Sequence, residues 1–163
     1  MRRRELALTA ALLLVAAVVW AVEEVGQVAW VRGELTRSRP GEGTKVLSAG
    51  DRFALGDTLR TGVDAAARLS FTKHGSLELG SAESQTITEA TLEKVEGGQG
   101  LIRLLKGWLT IALDELFGGT GELRVETPSA SIGIKGTLVV IWVDEAGGTW
   151  VMVIEVDLPL GRG

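Results

Sequence analysis

The sequence of 163 residues contains no cysteine, and this absence excludes several kinds of site. Without a thiol the chain has no disulfide, no thiolate nucleophile and no cysteine-based zinc centre. Lipid attachment at a signal peptide also requires a cysteine, so that form of anchoring is excluded as well.

The side chains that usually perform acid–base catalysis are also scarce. The chain has one histidine, His74, and no tyrosine, and its carboxylates form no clustered pair. His74 stands beside a glycine in a predicted turn, where a histidine is far more often a turn residue than a ligand. We therefore expect a protein that is not an enzyme and that uses no cofactor or metal.

Positive charge is in short supply too. The chain carries 17 basic and 21 acidic residues, which gives a net charge of −4. Removal of residues 1–21 would take away three arginines and one glutamate, a further change of −2 that leaves −6. Such a chain lacks the clustered lysine and arginine needed to bind the phosphates of a nucleic acid.

The longest apolar run lies at the N-terminus. Three arginines, Arg2 to Arg4, precede an uncharged segment from Leu6 to Val22, and small residues at Val19 and Ala21 suit a signal-peptidase site. The alternative is an uncleaved anchor, because 17 residues are at the lower limit for a spanning helix. We expect residues 1–21 to be a signal peptide or signal anchor. Residues 22–163 then lie in the periplasm or outside the cell, tethered to the inner membrane if cleavage does not occur.

What the sequence does contain is β-like. There are 22 glycines and only three prolines, and short segments of alternating polar and apolar residues are separated by glycine turns. We predict one all-β domain over residues 22–163, a rolled or solenoid-like antiparallel or mixed sheet of short strands. An apolar helix precedes it.

Two hairpins and one buried strand follow from the pattern. Residues 65–80 alternate, turn at "TKHGS" and return with apolar residues on the same face. A second hairpin is expected to pair residues 27–37 with 44–48. The continuous apolar run of residues 138–143 predicts a strand covered on both faces, and residues 150–156 are its return strand.

Two Gly-Asp pairs stand six residues apart in "GDRFALGDTLRTG". A glycine accepts the left-handed conformation and an aspartate caps a turn through nearby backbone N–H groups. Calcium binding by the two aspartates is the competing hypothesis, but neither an EF-hand nor a nonapeptide repeat surrounds them. We therefore predict a series of turns, formed by Gly50, Asp51, Gly56, Asp57, Thr61 and Gly62.

The segment "VETPSASIGIKGT" (residues 125–137) interrupts the β-like pattern. Proline removes one backbone donor and restricts the residue before it, so the strand ends, bulges or lies at a sheet edge there. Glycines permit a corner that side chains would block, and a lysine can donate to carbonyls freed at the corner. We predict a structural corner formed by Thr127, Pro128, Gly133, Lys135, Gly136 and Thr137.

These two segments, in this order, resemble the signature of the FecR domain family. In that family a Thr-Pro, small residues and an Arg-Gly-Thr precede a hairpin, and Gly-Asp pairs and a Thr-Gly lie upstream. The resemblance covers about residues 24–156. Lys135 stands where arginine is usual, and "KHG" stands where Asp-Gly is usual. The ending "EVDLPLGRG" lacks the glycine-containing strand pair that commonly follows, which leaves open whether the C-terminus is complete.

The resemblance implies a module that binds or signals in the cell envelope. Well-known members relay the state of an outer-membrane receptor to a sigma factor through a cytoplasmic domain. Only five residues precede the apolar segment here, so we expect the stand-alone secreted type. The expected partner is an envelope protein that adds a strand at a sheet edge, near Pro128 or at the C-terminal strand.

The alternative is a structural or glycan-associating envelope protein. Exposed tryptophans would favour it, and Trp108, Trp142 and Trp150 are the candidates. Their other interpretation is that they are ordinary core residues.

Overall fold

The computed structural model describes residues 24–72, 75–81, 86–94, 100–112, 123–134 and 138–154. The predicted N-terminal helix and His74 lie outside these ranges. Within them, no helix has the length and apolar character needed to cross a bilayer.

The described residues form strands and turns without any helix, so the prediction of an all-β domain is confirmed. Thirteen strands follow one another along these parts of the chain. Their bounds are β1 Glu24–Arg32, β2 Leu35–Arg39, β3 Gly43–Val46, β4 Arg52–Ala54, β5 Thr58–Thr61, β6 Ala66–Phe71, β7 Ser76–Gly80, β8 Glu89–Lys94, β9 Gly100–Ala112, β10 Leu123–Glu126, β11 Ser131–Ile134, β12 Leu138–Val143 and β13 Thr149–Ile154.

The strands make two connected sheets that share β9. The first sheet runs β4–β1–β6–β7–β9–β12–β13, and the second runs β3–β2–β5–β8–β9–β10–β11. All the pairings are antiparallel except that of β10 with β9. The whole is a curled, half-closed barrel, and its four outermost strands are β4, β13, β3 and β11.

β9 passes from one sheet to the other through a local irregularity. Its register with β8 shifts so that Leu105 has no partner, and the side chains that face the core change from even to odd positions beyond it. Gly107 follows with φ +89°, a conformation that side chains disfavour. Thr88 accepts a hydrogen bond from Trp108 N at 2.9 Å and holds the bend. A bulge with a left-handed glycine redirects a strand in this way.

A single apolar core lies between the two sheets. Strands from both sheets contribute to it, and its largest fully buried side chains include Phe53, Leu69, Leu104 and Ile111. Among the described strands, β3 and β13 contribute no buried core side chain. Both lie at sheet edges, where the curled sheet leaves them uncovered.

The predicted hairpin at residues 65–80 is present as β6 and β7. The hairpin expected between residues 27–37 and 44–48 is only partly correct. β2 pairs with β3, but β1 is a separate strand that pairs with β4 and β6. The separation arises at Gly33, whose φ of +80° turns the chain before β2 begins.

The prediction that residues 138–143 are covered on both faces is wrong. The side chains of β12 alternate between buried and half-buried, with Val139, Ile141 and Val143 in the core. The other face of β12 lies on the outside of the curled sheet, where no further layer of described residues covers it.

Candidate functional site

The two Gly-Asp pairs form two turns with the same hydrogen bonds. In the first, Ser48 N donates to Asp51 Oδ2 at 2.8 Å and Asp51 N donates to Ser48 O at 3.0 Å. In the second, Ala54 N donates to Asp57 Oδ2 at 2.8 Å and Asp57 N donates to Ala54 O at 3.3 Å. The glycine before each aspartate has a positive φ. Each aspartate therefore holds its own turn by accepting a hydrogen bond from a backbone N–H group.

The two aspartates differ in their surroundings. Asp57 is fully buried and receives two hydrogen bonds from Arg39, at 2.6 and 3.0 Å. These bonds raise the pKa of Arg39 above its usual value. Asp51 is partly exposed, and the backbone bond from Ser48 lowers the pKa of its carboxyl group.

Of the other two predicted turn residues, Thr61 is the last residue of β5, and Gly62 follows it. Thr61 is buried, and its hydroxyl accepts a hydrogen bond from Thr88 N at 3.2 Å. Gly62 N donates to Glu34 O at 3.0 Å. Within the described ranges, no group of three or more His, Cys, Asp or Glu side chains is placed to hold a metal ion. Asp51, Asp57, Thr61 and Gly62 therefore make hydrogen bonds with backbone groups of neighbouring residues.

Thr127 and Pro128 lie in the tight turn that joins β10 to β11. β10 ends at Glu126, and Thr127 N donates to Ala130 O at 2.9 Å. Gly133 lies in β11 opposite Arg124. Lys135, Gly136 and Thr137 lie outside the described residues. β11, which precedes them, belongs to the second sheet, and β12, which follows them, belongs to the first.

This turn is fastened to the beginning of β13 by a cluster of hydroxyl groups. Thr149 Oγ1 lies 2.7 Å from both Thr127 Oγ1 and Ser129 Oγ. Ser129 Oγ also donates to Gly147 O at 2.8 Å. The Thr-Pro motif therefore connects the second sheet to the turn before β13 and helps to fix where β13 starts.

β13 is an edge strand whose apolar side chains are exposed. It pairs with β12 on one side, and no other described strand pairs with it. Five successive apolar side chains are exposed on it. They are Trp150, Val151, Met152, Val153 and Ile154. Long, apolar, exposed edge strands are rare in soluble monomers because they invite pairing with another chain.

The backbone of β13 also presents hydrogen-bonding groups to the outside. The preceding hairpin closes with a bond from Asp144 N to Gly148 O at 3.0 Å. Bonded and non-bonded pairs alternate in an antiparallel ladder, so alternate residues from Trp150 onward bond to β12. The N–H and C=O groups of Val151 and Val153 therefore point to the free edge.

Three tryptophans form a row on the outer face of the first sheet. Trp108, Trp142 and Trp150 are cross-strand neighbours on β9, β12 and β13. The ring centroids are 5.4 Å apart between the first two and 6.1 Å between the last two, with interplanar angles of 15° and 20°. The rings are stacked on one another, and Trp150, at the free edge, is 61% exposed. Neither of the two interpretations made from sequence describes this stack.

Polarity changes across the same outer face. A second row of cross-strand neighbours lies on the same face, two residues along the strands from the tryptophan row. It begins with Arg68 and Glu78, which form an ion pair at 3.1 Å. It continues through Thr110 and Val140 and ends at Met152 on β13. The sheet is therefore charged near its middle and apolar at its free edge.

A shallow cleft of about 460 Å³ adjoins the turn before β13. The turn residues 144–147 and Pro128 form one wall, and Leu105 and Lys106, beside the β9 bulge, form another. We call the edge of β13 together with the tryptophan row the β13 surface; the cleft lies at the turn that precedes this strand.

Comparison with known proteins gives no identification. No protein-family model matches the chain, and neither a curated protein nor a solved structure matches it. The resemblance to the FecR domain family therefore remains a hypothesis from sequence.

Proposed function

We propose that this protein is a non-enzymatic, extracytoplasmic module of the FecR type that binds a protein partner in the cell envelope through the edge of β13. The N-terminal apolar segment and the ordered motifs of the sequence support the envelope location and the family. The observation that carries the binding role is the exposed apolar edge of β13.

The other edges of the two sheets differ from β13 in length and composition. β3, β4 and β11 have three or four residues each, whereas β13 has six. β3 carries Lys45, β4 carries Arg52 and β11 contains Gly133. Short strands and charged side chains are the usual protection of an edge against pairing. β13 has neither protection, which supports a role in binding.

The mode of binding that suits this edge is addition of a strand from the partner. The outward N–H and C=O groups of Val151 and Val153 supply main-chain hydrogen bonds, which give affinity without requiring a particular sequence. The side chains on the two faces of β13 supply selectivity, because a partner strand must place apolar residues beside them. Trp150 is the largest anchor among them, and tryptophan is enriched where binding energy concentrates.

A matched pair of substitutions tests this function. Val153→Lys places a charge on β13, and Val46→Lys places one on β3, where the valines are 61% and 59% exposed. Neither position is in the core, so both variants are expected to fold. In affinity capture from envelope fractions, we expect a partner protein to be retained by the wild type and by Val46→Lys and lost with Val153→Lys. Equal retention by both variants would refute binding at β13.

Glycan association is the second candidate, because stacked tryptophans lie at an exposed edge. A sugar ring packs against the free face of an aromatic ring. In this row the neighbouring rings cover both faces of Trp142 and one face each of Trp108 and Trp150. The side of Trp150 away from Trp142 faces the free edge. This edge side of Trp150 is open for a further contact. A side chain of an added partner strand fits there better than an extended polysaccharide, which would need several open ring faces.

The two candidates respond differently to substitution on opposite faces of β13. Glycan binding would be lost with Trp150→Ala and retained with Val153→Lys, because the two side chains lie on opposite faces of the strand. Strand addition would be lost with Val153→Lys as well. Sedimentation with insoluble cell-wall polysaccharide, compared with protein capture, distinguishes them.

A further inference from the structure

We propose that the strand added to β13 is β13 of a second copy of this chain, so that the protein forms a two-fold symmetric dimer with a continuous sheet across both copies. This inference rests on the proposed function, since it names the partner of the same edge. It is carried by three properties of β13: its hydrogen-bonding phase, its self-complementary sequence and its lack of charge.

The hydrogen-bonding phase permits a symmetric antiparallel pairing about Met152. Val151 and Val153 direct their N–H and C=O groups outward, so Val151 of one copy bonds with Val153 of the other, and the reverse. Met152 then faces its own counterpart as a non-bonded pair, which is the closer type of pair in an antiparallel ladder. A contact of this kind repeats the same residues on both partners, as a two-fold interface requires.

The sequence of β13 fits this register. With the axis at Met152, Trp150 faces Ile154 and Val151 faces Val153, so each exposed apolar residue meets another apolar residue. Moving the axis by one residue to Val151 would place Thr149 against Val153 and leave Ile154 unpaired. Moving it to Val153 would leave Trp150 and Val151 without a partner on β13 of the other copy. The apolar run therefore selects the first register.

The absence of charge on the strand favours a second copy over a different protein. Recognition between different proteins commonly uses complementary charges to select the partner. β13 has no charged residue between Thr149 and Ile154. Two identical strands without charge meet no repulsion, although the chain as a whole is acidic.

The expected interface is small. The five exposed side chains of β13, with exposures between 37% and 62%, would bury on the order of 1,000 Å² over both copies, at the lower limit for a specific interface. The two sheets would join into one, and the two tryptophan rows would lie on the same face, offset along the strands because Trp150 of each copy faces Ile154 of the other. We therefore expect a reversible dimer whose population rises with protein concentration.

The absence of cysteine makes disulfide cross-linking a clean test, because only an introduced thiol can react. Met152→Cys would face its own counterpart across the axis, at a separation that a disulfide can bridge. Ile154→Cys on the same strand would lie far from its counterpart, and Val46→Cys is an equally exposed control on β3. Each variant is expressed as the full chain, with whatever cleavage of the N-terminal segment the host performs, and is oxidised under mild conditions. We expect a covalent dimer from Met152→Cys alone.

Val151→Pro provides the second measurement. Its N–H points away from β12, so proline removes an outward donor without breaking the ladder inside the protein. By sedimentation equilibrium we expect the wild type to reach twice the monomer mass and Val151→Pro to remain a monomer with an unchanged circular dichroism spectrum.

The inference is overturned if the wild type remains a monomer at its highest soluble concentration, if larger assemblies form without a dimer, or if all three cysteine variants cross-link equally. If the wild type is a monomer but an envelope protein is still captured through Val153, the proposed function stands and this inference alone fails. If neither a dimer nor a captured partner is found, both fail.

Discussion

Substitution of Gly107 by alanine tests the account of how β9 joins the two sheets. Gly107 has φ +89°, and a Cβ built there would lie 2.5 Å from Thr88 Cα and collide with the Thr88 hydroxyl. Thr88 is fully buried, so it has little room to move. The left-handed conformation costs an alanine about 1–2 kcal/mol. Relief of the collision in a packed interior costs about 1–3 kcal/mol more.

Gly41→Ala is the matched control, since Gly41 has φ +83° but nothing within 4 Å of the position of its Cβ. The conformational cost is common to both variants, so the difference between them isolates the collision with Thr88. We expect Gly107→Ala to lower the free energy of unfolding by about 2–5 kcal/mol and Gly41→Ala by about 1–2 kcal/mol. Urea unfolding followed by tryptophan fluorescence measures both. Equal losses would refute the close approach of β9 to Thr88.

Three further predictions follow from the turns and the tryptophan row. Asp57→Ala removes both hydrogen bonds that the half-buried Arg39 makes to Asp57, which leaves Arg39 with Glu42 alone, and it leaves the turn N–H of Ala54 unpaired. We expect a loss of about 2–4 kcal/mol in thermal unfolding, and a loss no larger than that of Asp51→Ala would contradict the difference in burial. Because the bond from Ser48 lowers the pKa of Asp51, its contribution to stability is present above its unfolded pKa of about 4 and disappears as the pH falls through the lower, folded pKa. Urea midpoints from pH 6 down to 2 should therefore fall less steeply in Asp51→Asn, and an unchanged slope would exclude this role. Trp142→Phe should remove the coupled signal of stacked indoles from the circular dichroism spectrum, whereas Trp30→Phe should not; survival of the signal in Trp142→Phe would contradict the stack.

The sequence predicts those parts of the fold that depend on neighbouring residues. The hairpin of β6 and β7 and the two Gly-Asp turns are determined by alternation and by local backbone chemistry within a few residues. The same holds for the end of β10 at Glu126, because Pro128 restricts the backbone of Thr127, the residue that follows the strand.

The parts that depend on distant contacts are not predictable in this way. The bulge at Leu105 interrupts the alternation of β9, so that in the sequence Leu101, Leu104, Leu105 and Leu109 also fit one face of a helix. An apolar run does not reveal how many of its faces are covered, which explains the error for β12. The same limit applies to β13, since its residues would suit a buried strand equally well.

The tryptophan row shows most clearly what a single sequence omits. Trp108, Trp142 and Trp150 are separated by 34 and 8 residues in the chain, and only the register of three strands brings their rings together. Neither hydrophobicity nor local pattern encodes that register. The sequence predicts a binding edge at the C-terminal strand. It does not reveal that Trp108 and Trp142 lie beside Trp150 at that edge, because this depends on the strand register.

The central claim is that the free edge of β13 accepts another strand, and amide hydrogen exchange at two residues tests it most directly. At high dilution and without a partner, the amides of Val151 and Val153 should exchange quickly, whereas that of Met152, bonded to β12, should be protected. When the protein concentration is raised or envelope extract is added, the account predicts that Val151 and Val153 become protected. The exchange of Val46, whose N–H points away from β2 on the edge strand β3, should not change. Protection of Val151 and Val153 at high dilution, or no change in their exchange under any of these conditions, would contradict it.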